Sequence, residues 1–206
     1  MKIGLFTDVY YPYVSGVVTA VDSLAKALKM YGCEVYIICI NGKYRKYYRE
    51  GNIIMIPGIP SSKIFNNYYM RLFYPSRAVK IVKDLNLDII HTHTEGVIGM
   101  FGKSMGKKLH IPVVHTMHTF YESCVDYITK GHFEKIGQKG AKFFVTSFLT
   151  KTVDEVITPG KKSYDLLKNK YGIKQDVSVL PSGIDTMLLH RENYDIKEIN
   201  KIRNNN

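Results

Sequence analysis

Buried-strand runs and helix-period stripes alternate along this chain. Lys2–Asp8 reads as a buried strand ending on a polar residue, and the loop Val9–Gly16 follows, with Pro12 inside it. Val17, Val21, Leu24 and Leu28 then recur at steps of four, three and four, which places them on one face of a helix. Gly32 stands where that helix should end. Glu34–Ile40 is a second strand rich in Val and Ile, and Asn52–Ile56 a short third. Ser76 has the chemistry of an N-cap, and Ala78, Val82 and Leu85 form the apolar face of the helix after it. Asp88–Thr92 predicts a strand, and Ile98, Phe101, Met105 and Leu109 predict a helix. Pro112–Thr116, Val153–Thr158 and Val177–Pro181 predict three more strands, the last two separated by a helix around Lys161–Tyr171.

Strands that alternate with helices call for right-handed parallel crossovers, so the expected class is α/β with a doubly wound parallel sheet. Ligands of such sheets bind beyond the carboxyl ends of the strands. The residues that follow each strand are therefore the ones to read for chemistry. Near the end, Ile196, Ile199 and Ile202 recur every three residues. That helix has an apolar stripe and little of this chain left to pack on, so it reads as the beginning of a further unit. The run Asn204–Asn206 reads as a frayed tail.

Composition narrows the partners. The chain has 206 residues, 45% hydrophobic, enough for one large domain with a real core. No apolar run approaches the ~20 residues that cross a bilayer. The start, Met1-Lys2-Ile3-Gly4, has neither the apolar core nor the cleavage site of a signal peptide, so a cytoplasmic location is expected. Cys33, Cys39 and Cys124 are odd in number and lack metal spacing, which points to idle thiols rather than a disulfide frame. A net charge of +11 favours anionic partners. No nucleic-acid motif accompanies it, which leaves membrane surfaces and phosphate-bearing ligands.

The strand ends carry the candidate chemistry. After the first strand comes Asp8-Val9-Tyr10-Tyr11-Pro12-Tyr13-Val14-Ser15-Gly16-Val17. A glycine at the mouth of a helix lets an anion approach backbone N–H groups at the positive dipole end. It is also what a tight turn asks for, and a lone glycine is not a dinucleotide fingerprint. Later ends read His91-Thr92-His93-Thr94-Glu95 and His115-Thr116-Met117-His118-Thr119-Phe120-Tyr121. His91 and His93 share one face of a strand. No Cys or acid lies at metal-ligand spacing from them, so no metal is expected. Neutral imidazoles and hydroxyls suit the hydroxyl groups of a sugar. Asp8, Glu95 and Glu122 are candidate acids that serve equally well as caps or ion-pair partners. Two stretches mix basic and aromatic residues: Lys43–Arg49, and a helix over Phe133–Phe144. In the latter Phe133, Ile136, Phe143 and Phe144 share one face opposite Lys135, Lys139 and Lys142, which suits an anionic membrane interface or an ordinary surface helix.

Taken in order, these segments resemble the N-terminal domain of family 4 glycosyltransferases, over about residues 1–190. The matching stretches are Gly4–Asp8 through Ser15-Gly16-Val17-Val18, Asp88–Glu95, Ile111–Thr119, Val156–Gly160 and Pro181–Asp185. Within that family the chain looks most like bacterial members that put glucose on diacylglycerol. The resemblance implies a GT-B architecture: two Rossmann-like domains across a cleft, with retention of anomeric configuration. Residues 1–185 would be the acceptor-side domain, and 186–206 the link into a C-terminal donor-side domain. Gly16 and Val17 would bind the donor, with the Gly16 N–H near its diphosphate. His118 would be the catalytic residue, bonding the transferred sugar. Asp8, Tyr10, His93, Glu95, Tyr121 and Tyr127 would lie towards the acceptor. No cofactor is implied, only a nucleotide-sugar substrate such as UDP-glucose. Partners would be a lipid acceptor and the anionic inner face of the plasma membrane, with no nucleic acid. The donor half's diphosphate-binding basic pair and glutamate pair do not occur in this sequence, so the chain by itself is not expected to transfer sugar. A non-catalytic lipid-binding fragment and a transferase with a non-lipid acceptor stay open.

Overall fold

A computed structural model describes residues 1–41, 47–60, 69–70, 76–121, 134–184, 186 and 190–204. Its frame is an eight-stranded sheet. In chain order the strands are β1 (Lys2–Thr7), β2 (Glu34–Asn41), β3 (Tyr48–Glu50), β4 (Ile53–Pro57), β7 (Ile89–Thr92), β8 (Val113–Thr116), β9 (Glu155–Thr158) and β10 (Asp176–Val179). The intervening β5 (Ile59–Pro60) and β6 (Tyr69–Met70) form a separate two-stranded pair. The spatial order is β10-β9-β8-β7-β1-β2-β4-β3. Every neighbouring pair is parallel except β3 with β4. The expected strands are all present within a residue or two. The hairpin strand β3 and the β5–β6 pair were not expected, because three or fewer residues carry no periodicity to read.

The helices are α1 (Gly16–Met30), α2 (Ser76–Asp84), α3 (Val97–Leu109), α4 (Glu134–Leu149), α5 (Lys161–Asp165) and α6 (Ile196–Asn204). The Ser15 side chain caps α1 by accepting from the Val18 N–H at 3.3 Å. Gly32, with φ +77°, lets the chain turn after it. Leu166–Tyr171 continues α5 as a π-helical turn ended by Gly172 at φ +72°.

Parallel sheets bury both faces. Here one face carries a large cluster around Phe6, Ile38, Ile90, Phe101, Val113 and Leu149. The other carries a smaller one, in which Val18, Val21 and Ala25 of α1 cover Leu5, Val35 and Ile37. α3 lies very close to the sheet because its contact side is glycine: a Cβ on Gly102 would meet the Thr92 methyl at 2.8 Å.

One helix differs from expectation. α4 runs on to Leu149 and buries Ala141, Val145, Phe148 and Leu149. Phe143 is 74% exposed and Phe144 42%. The apolar face expected from Phe143 and Phe144 is therefore corrected: the pair that anchors the helix, Phe148 and Leu149, lies beyond Phe144, where the basic-aromatic stretch ends. Beside it, Lys103 of α3 is buried with its ammonium 4.0 Å from the Phe148 ring centroid and bonded to the Phe148 carbonyl. A cation at the C-terminus of α4 satisfies a free carbonyl and the helix dipole together. Residues Cys124, Glu122, Asp126, Tyr127, Lys130, Phe133 and Asp185, and 43–46 of the first basic stretch, lie outside the described residues. Cys39 is a free buried thiol, pushed up to about 12 by burial. No described helix is long and apolar enough to cross a membrane.

Candidate functional site at the carboxyl ends of β1, β7 and β8

The chain leaves β1 for β2 on one side and later returns to β7 on the other. Strand order reverses at β1, and the crevice beyond such a reversal is where open α/β sheets bind ligands. The chain ends that follow β1 and β7 are tied together there. The His93 N–H donates to the Phe6 carbonyl at 2.8 Å, and the Asp8 N–H donates to the Thr94 hydroxyl oxygen at 3.0 Å.

Asp8 ties the crevice to α3. Its Oδ1 accepts from the Ile98 N–H at 2.8 Å, in the first turn of that helix, and its Oδ2 accepts from the Thr94 hydroxyl. Burial raises its carboxyl above the ordinary value, and those hydrogen bonds pull the other way. Between cap and ion-pair partner, the cap is what the geometry shows. Tyr10 is equally engaged: it is buried beneath α1 and donates to Asp22 Oδ1 at 3.0 Å. Burial and the Asp22 carboxylate push its hydroxyl beyond the ordinary tyrosine range.

The histidines divide into two networks, because alternate residues of a strand face opposite ways. His115, pointing towards α4, donates from Nε2 to Glu95 Oε1 at 3.3 Å, and its Nδ1 meets the Thr92 hydroxyl at 2.8 Å. Tyr121 donates to Glu95 Oε2 at 2.6 Å, and its ring lies edge-on to Phe144 at 5.6 Å. Burial alone would raise the Glu95 carboxyl, yet these bonds together hold it below the ordinary range. The result is a buried carboxylate with both oxygens occupied and Tyr121 fixed above it.

The second network faces the opposite side. His91 Nε2 meets the Thr116 hydroxyl at 2.7 Å, His91 stacks on His93 at 4.1 Å, and His93 Nδ1 lies 3.1 Å from His118 Nε2. Burial is the main cause that pushes His91 down to about 3, His118 to about 4 and His93 well below the ordinary histidine range. All three are neutral imidazoles at pH 7. They offer hydrogen bonds to uncharged hydroxyls rather than positive charge to an anion. His91, His93, Thr116 and His118 line one wall of a cavity of about 240 Å³, and Leu24 of α1 and Pro181 help close the rest. Among the described residues, no three His, Cys, Asp or Glu side chains come together as a metal-binding set.

Gly16 opens α1 at the same end. It is exposed, its φ is not positive, and a Cβ there would meet nothing within 4 Å. The turn requirement that commonly explains a lone glycine is absent. Val17 beside it is half-buried. The structure thus joins His93 to His118 in one network and Glu95 to Tyr121 in the other, ties Asp8 to α3 and Tyr10 to Asp22 of α1, and leaves Tyr127 outside the described residues. Sequence reasoning missed Thr116. The signal was there: in β8 it alternates with His115 and so faces the side of His91, its diagonal neighbour in the register His91 with Val114.

The fold as a whole is shared with known proteins. Anabaena HepE, solved in complex with UDP, superposes with a TM-score of 0.60 at 15% identity, over 100% of this chain and 50% of that one. A sucrose-phosphate synthase fragment from Thermosynechococcus elongatus gives 0.54 at 16% identity, over 95% of this chain and 100% of that one. Such identities carry the fold alone. In sequence, the alpha-monoglucosyldiacylglycerol synthase of Streptococcus pneumoniae is 37% identical over 98% of this chain and 45% of its own length. The protein of the same name from Acholeplasma laidlawii is 31% identical over 98% of this chain and 51% of its own. The chain thus spans about half the length of the curated relatives it matches. With the sequence model of Glycosyltransferase Family 4 matching residues 14–188, from the mouth of α1 past the last strand of the sheet, the chain belongs to that family.

Proposed function

We propose that this chain is the acceptor-side half of a retaining glycosyltransferase that moves glucose from UDP-glucose to a membrane lipid such as diacylglycerol. Residues 1–185 form the acceptor-side domain and 186–206 the link into a donor-side domain that completes the cleft. The chain alone is inactive in this reading, since the donor is held mainly by the other half. The observation that carries it is the open helix mouth at Gly16, set at the same strand ends as three neutral histidines. Backbone N–H groups at a helix N-terminus suit a diphosphate. Uncharged imidazoles suit the hydroxyl groups of a hexose. The two relatives named for glucosyldiacylglycerol synthesis support the lipid acceptor.

In this assignment the Gly16 and Val17 N–H groups approach the donor diphosphate, and His118 bonds the transferred sugar. His93, Glu95, Tyr121 and Tyr127 form the acceptor side. Asp8 and Tyr10 belong to the same acceptor side, Asp8 bonded to Thr94 and Ile98 and Tyr10 to Asp22. The exposed Phe143 and Phe144 of α4 face the anionic inner leaflet and make the enzyme peripheral.

Fusing this chain to the donor-side half of the Streptococcus pneumoniae relative provides the test. Labelled UDP-glucose and diacylglycerol vesicles should yield labelled glycolipid, and no transfer, or transfer only to a non-lipid acceptor, overturns the reading. His118→Ala in the fusion should lower kcat/KM by about 10²-fold, the usual cost of losing one preorganised hydrogen bond to the transition state. Gly16→Ala separates fold from function. The unmodified chain with this change should be as stable or more so, by up to about 1 kcal/mol, because alanine suits a helix better. The fusion carrying it should bind donor more weakly. A loss of stability in urea unfolding would return Gly16 to a structural role.

A further inference from the structure

The contact between His93 and His118 has a consequence for which proton His118 presents. The two ring nitrogens, His93 Nδ1 and His118 Nε2, are 3.1 Å apart, which leaves room for one shared proton. Either His93 donates or His118 does. The choice fixes both tautomers, because each neutral imidazole carries one proton.

Two features decide between them. His93 is 2% exposed, and its Nε2 is a buried atom with no hydrogen-bond partner among the described residues. If His118 donated, the proton of His93 would be forced onto that Nε2, giving a buried N–H with nothing to accept it. Orphaned buried N–H groups are the rarer and costlier defect. If His93 donates from Nδ1, its Nε2 keeps only a lone pair. The ring is also held in place. It stacks on His91 at 4.1 Å and 29°, and His91 is itself anchored on the Thr116 hydroxyl. Turning the ring over by 180° would keep that stack but put Cδ2 where Nδ1 stands, and so would lose the contact with His118.

We propose that His93 is a positioning residue: its Nδ1–H donates to His118 Nε2, and this forces His118 to carry its own proton on Nδ1 and to present an N–H donor to whatever occupies the cleft. The occupant must then offer an acceptor oxygen at that point. A hydroxyl oxygen meets this need, and an ammonium or a bare C–H does not. Within the proposed transferase this makes His118 a donor to a sugar hydroxyl. The inference rests on that reading for its meaning only, since its test needs no transfer reaction.

Long-range ¹H–¹⁵N correlation on the 206-residue chain labelled at histidine reads the tautomers directly. The expected result is a neutral His118 protonated on Nδ1 and a neutral His93 protonated on Nδ1. A His118 proton on Nε2 overturns the proposal, and this spectrum needs no variant to fold. His93→Asn places an amide N–H where Nδ1–H stood, so His118 should keep its Nδ1 proton. His93→Phe keeps the ring and the stack but removes the donor, so His118 should pass to a mixture containing the Nε2–H form. An unchanged His118 in folded His93→Phe would show that His93 only packs, and would likewise overturn the proposal. A failed glycosyl-transfer assay beside the expected tautomers would count against the enzyme assignment and leave this one standing.

Discussion

Gly99→Ala should cost the domain about 3 kcal/mol or more, the largest loss expected from adding a single methyl group to this chain. Gly99 sits in the first turn of α3, directly beneath the peptide that joins His93 to Glu95. A Cβ there would lie 2.9 Å from the Thr94 carbonyl carbon and closer still to its oxygen. Both are backbone atoms, so no side-chain rotation relieves the clash. Either α3 lifts from the sheet or the strand end moves. The first opens the cluster around Phe101 and Met105, and the second breaks the Thr94–Asp8–Ile98 clamp. Overpacking of this kind costs about 1–3 kcal/mol where side chains can adjust, and more where backbone must. Gly140→Ala is the matched control. Gly140 lies on the exposed face of α4 and a Cβ there meets nothing within 4 Å, so the change should stabilise by about 1 kcal/mol. Urea unfolding of both variants checks the contrast, and equal midpoints would mean that α3 does not lie this close to the strand end.

That clamp also marks how far the sequence could be read. The alternation of strands and helices was legible because each long element repeats its own period, and β1, α1, β2 and α3 fall where the spacing of Val, Ile and Leu puts them. The facing of His91 with His93 was legible too, since it needs only the two-residue period of a strand. What lay beyond reach depends on register between strands. Pairing Thr92 with His115 is what brings His115 within reach of Glu95, and nothing within either segment specifies it. The same holds for Asp8, whose capping partner Ile98 is ninety residues away. α4 failed for a different reason. A helical wheel assigns faces only when the ends of the helix are known, and stopping at Phe144 omitted Phe148 and Leu149, the two residues whose burial sets its rotation. That Gly16 has neither a positive φ nor a described atom close to where a Cβ would stand depends on packing, which no sequence can display.

Acid should destabilise this domain early, from pH 6.5 downward, by more than about 2 kcal/mol at pH 5. His91, His93 and His118 are held below the ordinary histidine value in the folded chain, chiefly by burial. Above pH 6.5 neither state binds these protons and stability is unaffected. Below it the unfolded chain takes them up while the folded chain cannot, so each group removes about 1.4 kcal/mol per pH unit until its folded value is reached. From pH 6.5 to 5 that amounts to about 2 kcal/mol for His91, and His93 and His118 add to it in the same direction. Asp8 opposes the trend, since its raised carboxyl takes a proton more readily when folded, but only near the carboxylate range. Glu95 adds to the loss there, its carboxyl being held low. Urea midpoints at pH 7.5 and pH 5 measure the effect. His91→Gln keeps a polar group near Thr116 and removes one titrating ring, so it should reduce the difference between the two pH values by about 2 kcal/mol. A pH dependence unchanged in that variant would mean that His91 is free to charge in the folded state, and a charged pair stacked at 4.1 Å with His93 is not a wall that binds neutral hydroxyls.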